Sequence, residues 1–200
     1  MVVPDVSTAA RVRPRSSRTH AVVCDAVLDL VRSGATLSSL SLVSIAQNTG
    51  ISRNSIYRRW KTKEQLYSDV VKSMRCQAPD LTEQSARENV NVVMKTLAGV
   101  TARSNGRMER AILFEASHFP ELHEQYLLEV VAPMGHAVKS AIRRGKETGE
   151  IRADVDENLL TEVLLTTVIF AMPSNDGTDA DVEEMSRRTI DLVFDGVSPL

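Results

Sequence analysis

The segment spanning residues 41–66 constrains the fold of this chain more than any other feature of the sequence. A short helical pattern comes first, with apolar residues at Leu42, Ile45 and Ala46. Gly50 can adopt the left-handed backbone conformation that ends a helix, and Ser52 is a residue type that caps the next one. The second helix is also short and has its apolar position at Ile56. Two short helices joined by a tight turn are typical of a helix-turn-helix.

Apolar residues recur at helical spacing along the rest of the chain, and no segment alternates as a β-strand does. A helix from about residue 19 to residue 31 is predicted to stop at Gly34, and Thr62 is predicted to cap a fourth helix. Pro120 opens a helical stretch to about residue 148, with Pro133 as a kink or break inside it. Asp156 then caps an apolar helix, and a last helix follows a turn at residues 175–177. The sequence therefore predicts an all-α fold.

Charge divides the chain into a basic first part and an acidic second part. Residues 1–75 carry 12 Lys and Arg against 5 Asp and Glu, whereas residues 76–200 carry 12 against 21. We predict a flexible basic arm over residues 1–17, a helix-turn-helix domain over 18–77 and a helical ligand-sensing and dimerisation domain over 78–200. A basic module on an acidic body indicates a polyanionic partner for the basic part, although clustered surface charges would produce the same asymmetry. The arm either reaches a minor groove or is a plain tail.

The second short helix carries the candidate DNA-reading residues. If Ile51 and Ile56 pack inward, the side chains left outside the core are Arg53, Asn54, Ser55, Arg58 and Arg59. Arginine can bridge guanine edges and asparagine can bridge adenine edges in the major groove. The Tyr57 hydroxyl and the Lys63 ammonium suit phosphate contacts. Ser41, Ser52 and Lys61 complete the predicted DNA-binding set. The competing interpretation of these charges is an ordinary solvated face.

These residues resemble the DNA-binding signature of the TetR family of bacterial regulators in order and spacing. The matching runs are Ile45-Ala46, Gly50-Ile51-Ser52, Ile56-Tyr57-Arg58-Arg59-Trp60 and Thr62-Lys63-Glu64-Gln65-Leu66. The resemblance implies that Arg53, Asn54 and Ser55 occupy base-reading positions and that Tyr57 and Lys63 contact the phosphate backbone. It also implies that Trp60 is buried. The sequence departs from the family between residues 34 and 45, which is a longer interval than usual.

The second part of the chain provides candidates for a ligand pocket and for a dimer interface. The expected pocket residues are Met94, Leu97, Phe114, Phe119, Leu122, Tyr126, Met134 and Phe170. An ordinary hydrophobic core would contain the same residues. The expected dimer interface is formed by the last two helices, through Leu160, Leu164, Val168, Met185, Thr189 and Val193.

Several function classes lack support in the sequence. No Gly-x-Ser-x-Gly elbow, phosphate-binding glycine loop or His-Glu-x-x-His pair occurs, so an enzyme is not expected. His118, His123 and His136 are not spaced to share one helical face, and two cysteines are too few for a zinc site or disulfide framework, so we expect neither metal nor cofactor. The apolar run 163–172 is too short to cross a bilayer, and no secretion signal is evident, which favours the cytoplasm.

The sequence thus predicts a transcriptional regulator that binds a palindromic DNA operator as a homodimer. We expect a repressor that is released from the operator by a small hydrophobic ligand. One alternative is a ligand-independent DNA-binding protein whose C-terminal domain only dimerises. Another is a protein-interaction module whose helix-turn-helix no longer binds DNA, but the intact basic residues argue against it.

Overall fold

The computed structural model describes residues 15–81, 85–104, 106–170 and 179–197, and all regular elements within these ranges are helical. The prediction of an all-α fold is therefore confirmed. The helices are α1 Arg15–Arg32, α2 Leu42–Thr49, α3 Arg53–Arg59, α4 Lys63–Met74, α5 Ala86–Ala102, α6 Arg107–Phe114, α7 Pro120–Tyr126, α8 Ala132–Thr148, α9 Glu157–Ile169 and α10 Asp179–Val197. Of the predicted arm, residues 1–14 lie outside the described residues. Residues 15–17 begin α1, so the predicted border at residue 18 falls inside a helix.

The helix boundaries in the first part follow from the predicted capping residues. Ser41 Oγ accepts a hydrogen bond from the backbone N–H of Ser44 at 3.0 Å, and Ser52 and Thr62 cap α3 and α4 in the same way. Each cap satisfies one of the N–H groups that the first helical turn leaves without a partner. Gly50 ends α2 with a φ of 67°, as the helix-turn-helix pattern requires.

Hydrophobic side chains form two cores. The first core lies among α1–α4, which we call the headpiece, but it also includes residues from α6 and α7, among them Met108, Ile112 and Tyr126. The second core lies among α5, α8, α9 and α10. We call α5–α10 the body. Because α6 and α7 turn apolar faces toward the headpiece, the headpiece is packed on the body along a shared core.

The helical stretch that begins at Pro120 contains a π-helical turn, Leu127–Val131, between α7 and α8. Pro133 lies two residues after the end of this turn and has no N–H to donate, and its ring would clash with the carbonyl four residues earlier in a regular helix. A widened turn relieves that clash and redirects the helix axis. At the expected kink or break near Pro133, the structure therefore contains a π-helical turn.

The helix α9 begins at the capping residue expected from the sequence. Asp156 caps α9 by accepting from the N–H groups of Asn158 and Leu159, at 2.8 and 3.1 Å. The turn predicted at residues 175–177 lies outside the described residues. Among the helices that the structure describes, none combines the length and the hydrophobicity needed to span a bilayer.

Candidate nucleic-acid interface and its attachment to the body

The helix α3 is anchored by two apolar side chains and presents polar ones outward. Ile56 is fully buried, and Trp60, which caps the C-terminal end of α3, is buried as expected. The exposed side chains of the segment are Arg53, Asn54, Tyr57, Arg58, Arg59 and Lys61, while Ser55 is half-buried. Arg53 and Asn54 stand in the first turn of α3, directly after the Ser52 cap. The outward face predicted from the sequence is therefore present.

This face lies in a part of the chain without acidic residues. Between Asp29 and Glu64 the sequence contains no Asp or Glu, whereas it contains six basic residues, namely Arg32, Arg53, Arg58, Arg59, Lys61 and Lys63. Carboxylates close to a phosphate backbone would repel it, so a segment that contributes basic side chains and no carboxylate favours a polyanionic partner.

Trp60 is held by a small polar network beneath the outward face of α3, which is the candidate recognition surface. Its indole N–H donates to Asp69 Oδ2 at 3.0 Å, and His20 and Lys72 reach the same carboxylate at 3.2 and 3.0 Å. Burial alone would raise the pKa of Asp69, but the hydrogen bonds from Lys72 and Trp60 hold that pKa below its ordinary value of 3.8. The guanidinium of Arg59 lies 5.4 Å from the centroid of the Trp60 ring. The end of α3 is thus bound to α1 and α4.

Lys63 makes contacts that the sequence did not reveal. Its ammonium donates to the backbone carbonyl of Ser38 at 3.1 Å and lies 3.4 Å from that of Leu37. It also stands 5.2 Å from the centroid of the Phe119 ring. The buried Tyr67 hydroxyl donates to the Leu37 carbonyl at 2.7 Å. Lys63 therefore supports the loop between α1 and α2, in addition to the phosphate contact predicted from the sequence.

Glu115, directly after α6, holds the other side of the same loop. Its two carboxylate oxygens accept from the backbone N–H groups of Leu37 and Ser38, at 2.8 and 2.9 Å, and the Ser38 hydroxyl donates to it as well. Burial would raise the pKa of Glu115, but the hydrogen bonds from Ser38 and Leu37 hold it below its ordinary value of 4.5. Sequence reasoning missed Glu115, because 78 positions separate it from Leu37.

Three further contacts attach the headpiece to the body. The guanidinium of Arg103, at the end of α5, donates to Asp25 at 3.1 Å and to the Ser73 carbonyl at 2.7 Å. Arg75 forms an ion pair with Glu129 in the π-helical turn. These contacts join the body to the middle of α1 and to the C-terminal end of α4, the two helices that flank the helix-turn-helix.

The eight predicted pocket residues do not converge on one cavity. Met94, Leu97 and Met134 are buried in the second core, whereas Phe119, Leu122 and Tyr126 are buried against the headpiece. Phe114 is 71% exposed and Phe170 is 41% exposed, and their ring centroids lie 6.2 Å apart on the surface. The expectation of a single pocket lined by all eight is corrected, because α6 and α7 face the headpiece. Phe119 and Leu122 line a groove of about 360 Å³ between α4 and α7.

A buried carboxyl group lies beside the turn between α5 and α6. Glu109 is 1% exposed; its Oε2 accepts from the Ser104 hydroxyl at 2.7 Å. Its Oε1, the Tyr126 hydroxyl and the Thr101 hydroxyl have no hydrogen-bond partner among the residues that the structure describes. Burial raises the pKa of Glu109 from 4.5 to about 7. Polar atoms left without partners in a core are costly, so these groups destabilise the body locally.

The surfaces of α9 and α10 differ from the predicted dimer interface. Leu160, Leu164 and Val168 pack into the core of their own chain, since the opposite side of α9 faces outward. This part of the interface prediction is corrected. The outward side carries Leu159, which is 61% exposed, and Val163. On α10, the predicted Met185, Thr189 and Val193 are half-buried beside Leu192, which is 76% exposed.

The three histidines considered as metal ligands lie on different elements of the body. His118 precedes α7, His123 lies within α7, and His136 lies on α8. Residues 15–81, 85–104, 106–170 and 179–197 contain no group of three or more His, Cys, Asp or Glu that could hold a metal ion.

Residues 80–192 match a family profile described as the tetracyclin repressor-like C-terminal domain. No curated protein matches the sequence. The fold is similar to that of a TetR-family transcriptional regulator from Mesorhizobium loti, with a TM-score of 0.60 and 17% identity, covering 94% of this chain and all of that one. The match to FadR from Bacillus subtilis, in complex with stearoyl-CoA, has a TM-score of 0.63 and 16% identity and covers 89% of this chain and 99% of that one. The match to KstR2, a ketosteroid transcriptional regulator from Mycobacterium tuberculosis, has a TM-score of 0.69 and 13% identity and covers 96% of this chain and 99% of that one.

The buried Glu109 predicts a pH-dependent stability. Burial raises the pKa of Glu109 from its ordinary 4.5 to about 7, so the folded protein is more stable when Glu109 is protonated. This stability is fully present below pH 4.5 and is lost as the pH rises through the folded pKa of about 7. The free energy of unfolding should therefore fall between pH 5 and pH 8 by about 2 kcal/mol more in the wild type than in Glu109→Gln. Urea denaturation at several pH values measures this difference. The exposed Glu124→Gln should follow the wild type, and parallel curves for Glu109→Gln and the wild type would contradict the assignment.

Proposed function

This chain belongs to the TetR family of DNA-binding transcriptional regulators, and from that premise we propose that it represses transcription by occupying a palindromic operator as a homodimer. A small hydrophobic ligand releases it from the operator. The observation that carries the proposal is the outward face of α3, whose basic and amide side chains stand on a helix anchored by Ile56 and Trp60.

The proposed reading of DNA assigns different roles to the two ends of α3. Arg53, Asn54 and Ser55 occupy the first turn, and the N-terminal residues of a recognition helix are those that reach base edges in the major groove. Tyr57, Arg58 and Lys61 are exposed farther along and suit phosphate contacts. Ser41 and Ser52 are exposed caps of α2 and α3 and can take part only while they keep those caps. Arg59 lies near the Trp60 ring and Lys63 donates to the Ser38 carbonyl. In the proposed complex both also contact phosphates.

We propose that the dimer forms through the outward sides of α9 and α10. Apolar or uncharged side chains line each helix at helical spacing, namely Leu159, Val163 and Thr166 on α9 with Phe170 directly after it, and Met185, Thr189 and Leu192 on α10. Two copies related by a two-fold axis would bury these stripes against each other and place the two α3 helices about one DNA turn apart.

The proposed effector is a small hydrophobic ligand that binds the body. FadR with its stearoyl-CoA and the ketosteroid regulator KstR2 share the fold and support this class of ligand. The close packing of Met94, Leu97 and Met134 favours the alternative, in which the body only dimerises. Thermal-shift measurements with fatty acyl and steroid compounds separate the two, because a ligand that binds only the folded state raises the melting temperature.

The proposed roles predict two kinds of DNA-binding variant. Duplexes are first selected from a random library with the wild-type dimer, and the enriched sequence should be an inverted repeat. Arg53→Ala or Asn54→Ala should then relax the preference at particular base pairs by about 1–3 kcal/mol. Arg58→Ala and Lys61→Ala should weaken binding to all sequences alike and lower the salt slope by about 0.9 per lost phosphate contact in each subunit.

Competition against a library of operator variants at two salt concentrations measures both effects. Lys63 is omitted because its ammonium also supports the loop before α2. If no sequence is enriched, the proposed function is wrong. If Lys61→Ala changes base preference while Arg53→Ala and Asn54→Ala do not, the assignment of roles along α3 is wrong.

The proposed interface predicts that Leu159→Asp combined with Leu192→Asp gives a folded monomer. Both side chains are exposed in the single chain, so its own core is unaffected, whereas charges buried in an apolar interface remain unpaired. Sedimentation at micromolar concentration should show a dimer for the wild type and a monomer for the variant. Val92→Asp, which changes an exposed aliphatic residue of α5, should stay dimeric. A wild-type monomer or a dimeric double variant would refute the interface.

A further inference from the structure

We infer that Glu115 is a positioning residue for DNA recognition, through which the body sets the placement of α2 and α3. The inference rests on the proposed DNA-binding function. It concerns a carboxylate that stands outside the helix-turn-helix and outside the recognition surface, at the C-terminal end of α6.

The loop that Glu115 holds is ordered as a compact turn. Thr36 and Ser39 bond to each other reciprocally, each backbone N–H donating to the other's hydroxyl oxygen, at 3.1 and 3.2 Å. Leu37 and Leu40 are buried in the first core. Two backbone N–H groups of this turn, those of Leu37 and Ser38, point away from the headpiece, and both donate to the Glu115 carboxylate. The carboxylate thus completes a turn that the headpiece does not satisfy alone.

Opposite sides of the turn are held by different parts of the protein. The headpiece supplies Tyr67 and Lys63, which donate to the turn's carbonyl groups. The body supplies Glu115, which accepts from the turn's N–H groups. Hydrogen bonds to an ionised carboxylate are among the stronger ones in proteins. Two of them, one to each oxygen of Glu115, fix both the position and the orientation of the turn. The turn is therefore clamped between α4 and α6.

The clamped turn leads directly into the DNA-reading segment. Ser41, which caps α2, follows Ser38 after two residues, and α3 packs on α2 across the turn at Gly50. A shift of the turn would therefore be carried into α3, whose base contacts depend on hydrogen-bond geometry. The interval between residues 34 and 45, longer than usual for the family, is the part of the chain that receives this support.

Electrostatics alone would disfavour a carboxylate at this place. Glu115 lies against a segment that contains no Asp or Glu between positions 29 and 64, and a negative charge close to that surface lowers its attraction for phosphate. If Glu115 positions the turn, a better fit of the headpiece to DNA offsets this cost. Removing the Glu115 carboxylate should strengthen DNA binding if it acts only through its charge. Removing it should weaken operator binding if it positions the turn.

The test compares Glu115→Gln and Glu115→Ala with the matched control Glu121→Gln, which removes an exposed carboxylate from the first turn of α7. Affinity is measured for the selected operator and for an unrelated duplex of equal length. Positioning predicts that both Glu115 variants bind the operator roughly tenfold more weakly, while their affinity for the unrelated duplex is unchanged or higher. Amide hydrogen exchange at Leu37 and Ser38 should quicken in the same variants.

The remaining outcomes are also decisive. If both Glu115 variants gain affinity for operator and unrelated duplex alike, as Glu121→Gln does, Glu115 acts only through its charge and the inference fails. If Glu115→Ala is unfolded by circular dichroism, Glu115→Gln, which keeps the side-chain shape and one acceptor oxygen, decides the question alone. If the wild type selects no operator, the proposed function fails, whereas normal operator binding by the variants overturns only the role of Glu115.

Discussion

Burial of Ile56 and Trp60 is the interaction on which the recognition surface depends. The helix α3 has seven residues, and a helix of that length is not stable in water without tertiary packing. Two buried side chains therefore hold the whole element, and every outward residue of α3 takes its direction from them. Asp69 strengthens this anchor because it accepts the indole N–H of Trp60 and binds α1 through His20.

The anchor is in turn continuous with the body. Apolar residues of α6 and α7 complete the headpiece core, while Arg103 and Glu115 bind headpiece backbone and side chains from two different body elements. A change in the body, such as ligand binding, can affect DNA recognition only if it favours one arrangement of these contacts over another. The short helix α6 is well placed for this, since buried Glu109 lies in its first turn and Glu115 follows its last residue.

Local chemistry made much of this structure predictable. Serine and threonine caps, the left-handed Gly50, the buried Trp60 and the kink near Pro133 all follow from residue types at a given spacing. Long-range packing was not predictable in the same way. The apolar stretch of α9 is hydrophobic on several sides, so its sequence did not distinguish buried Leu164 from exposed Leu159. Phe114 was expected in a pocket but lies on the surface, and Glu115 carried no local signal of its role, because both placements depend on how α6 packs against the distant headpiece.

The central claim is that two copies of α3 enter the major groove of one operator. Methylation interference with dimethyl sulfate tests it directly, because the reagent modifies guanine N7 in the major groove and adenine N3 in the minor groove. Our account predicts that N7 methylation blocks binding at guanines in two half-sites whose centres lie about 10 base pairs apart. Interference confined to adenine N3, or none in either groove, would contradict it.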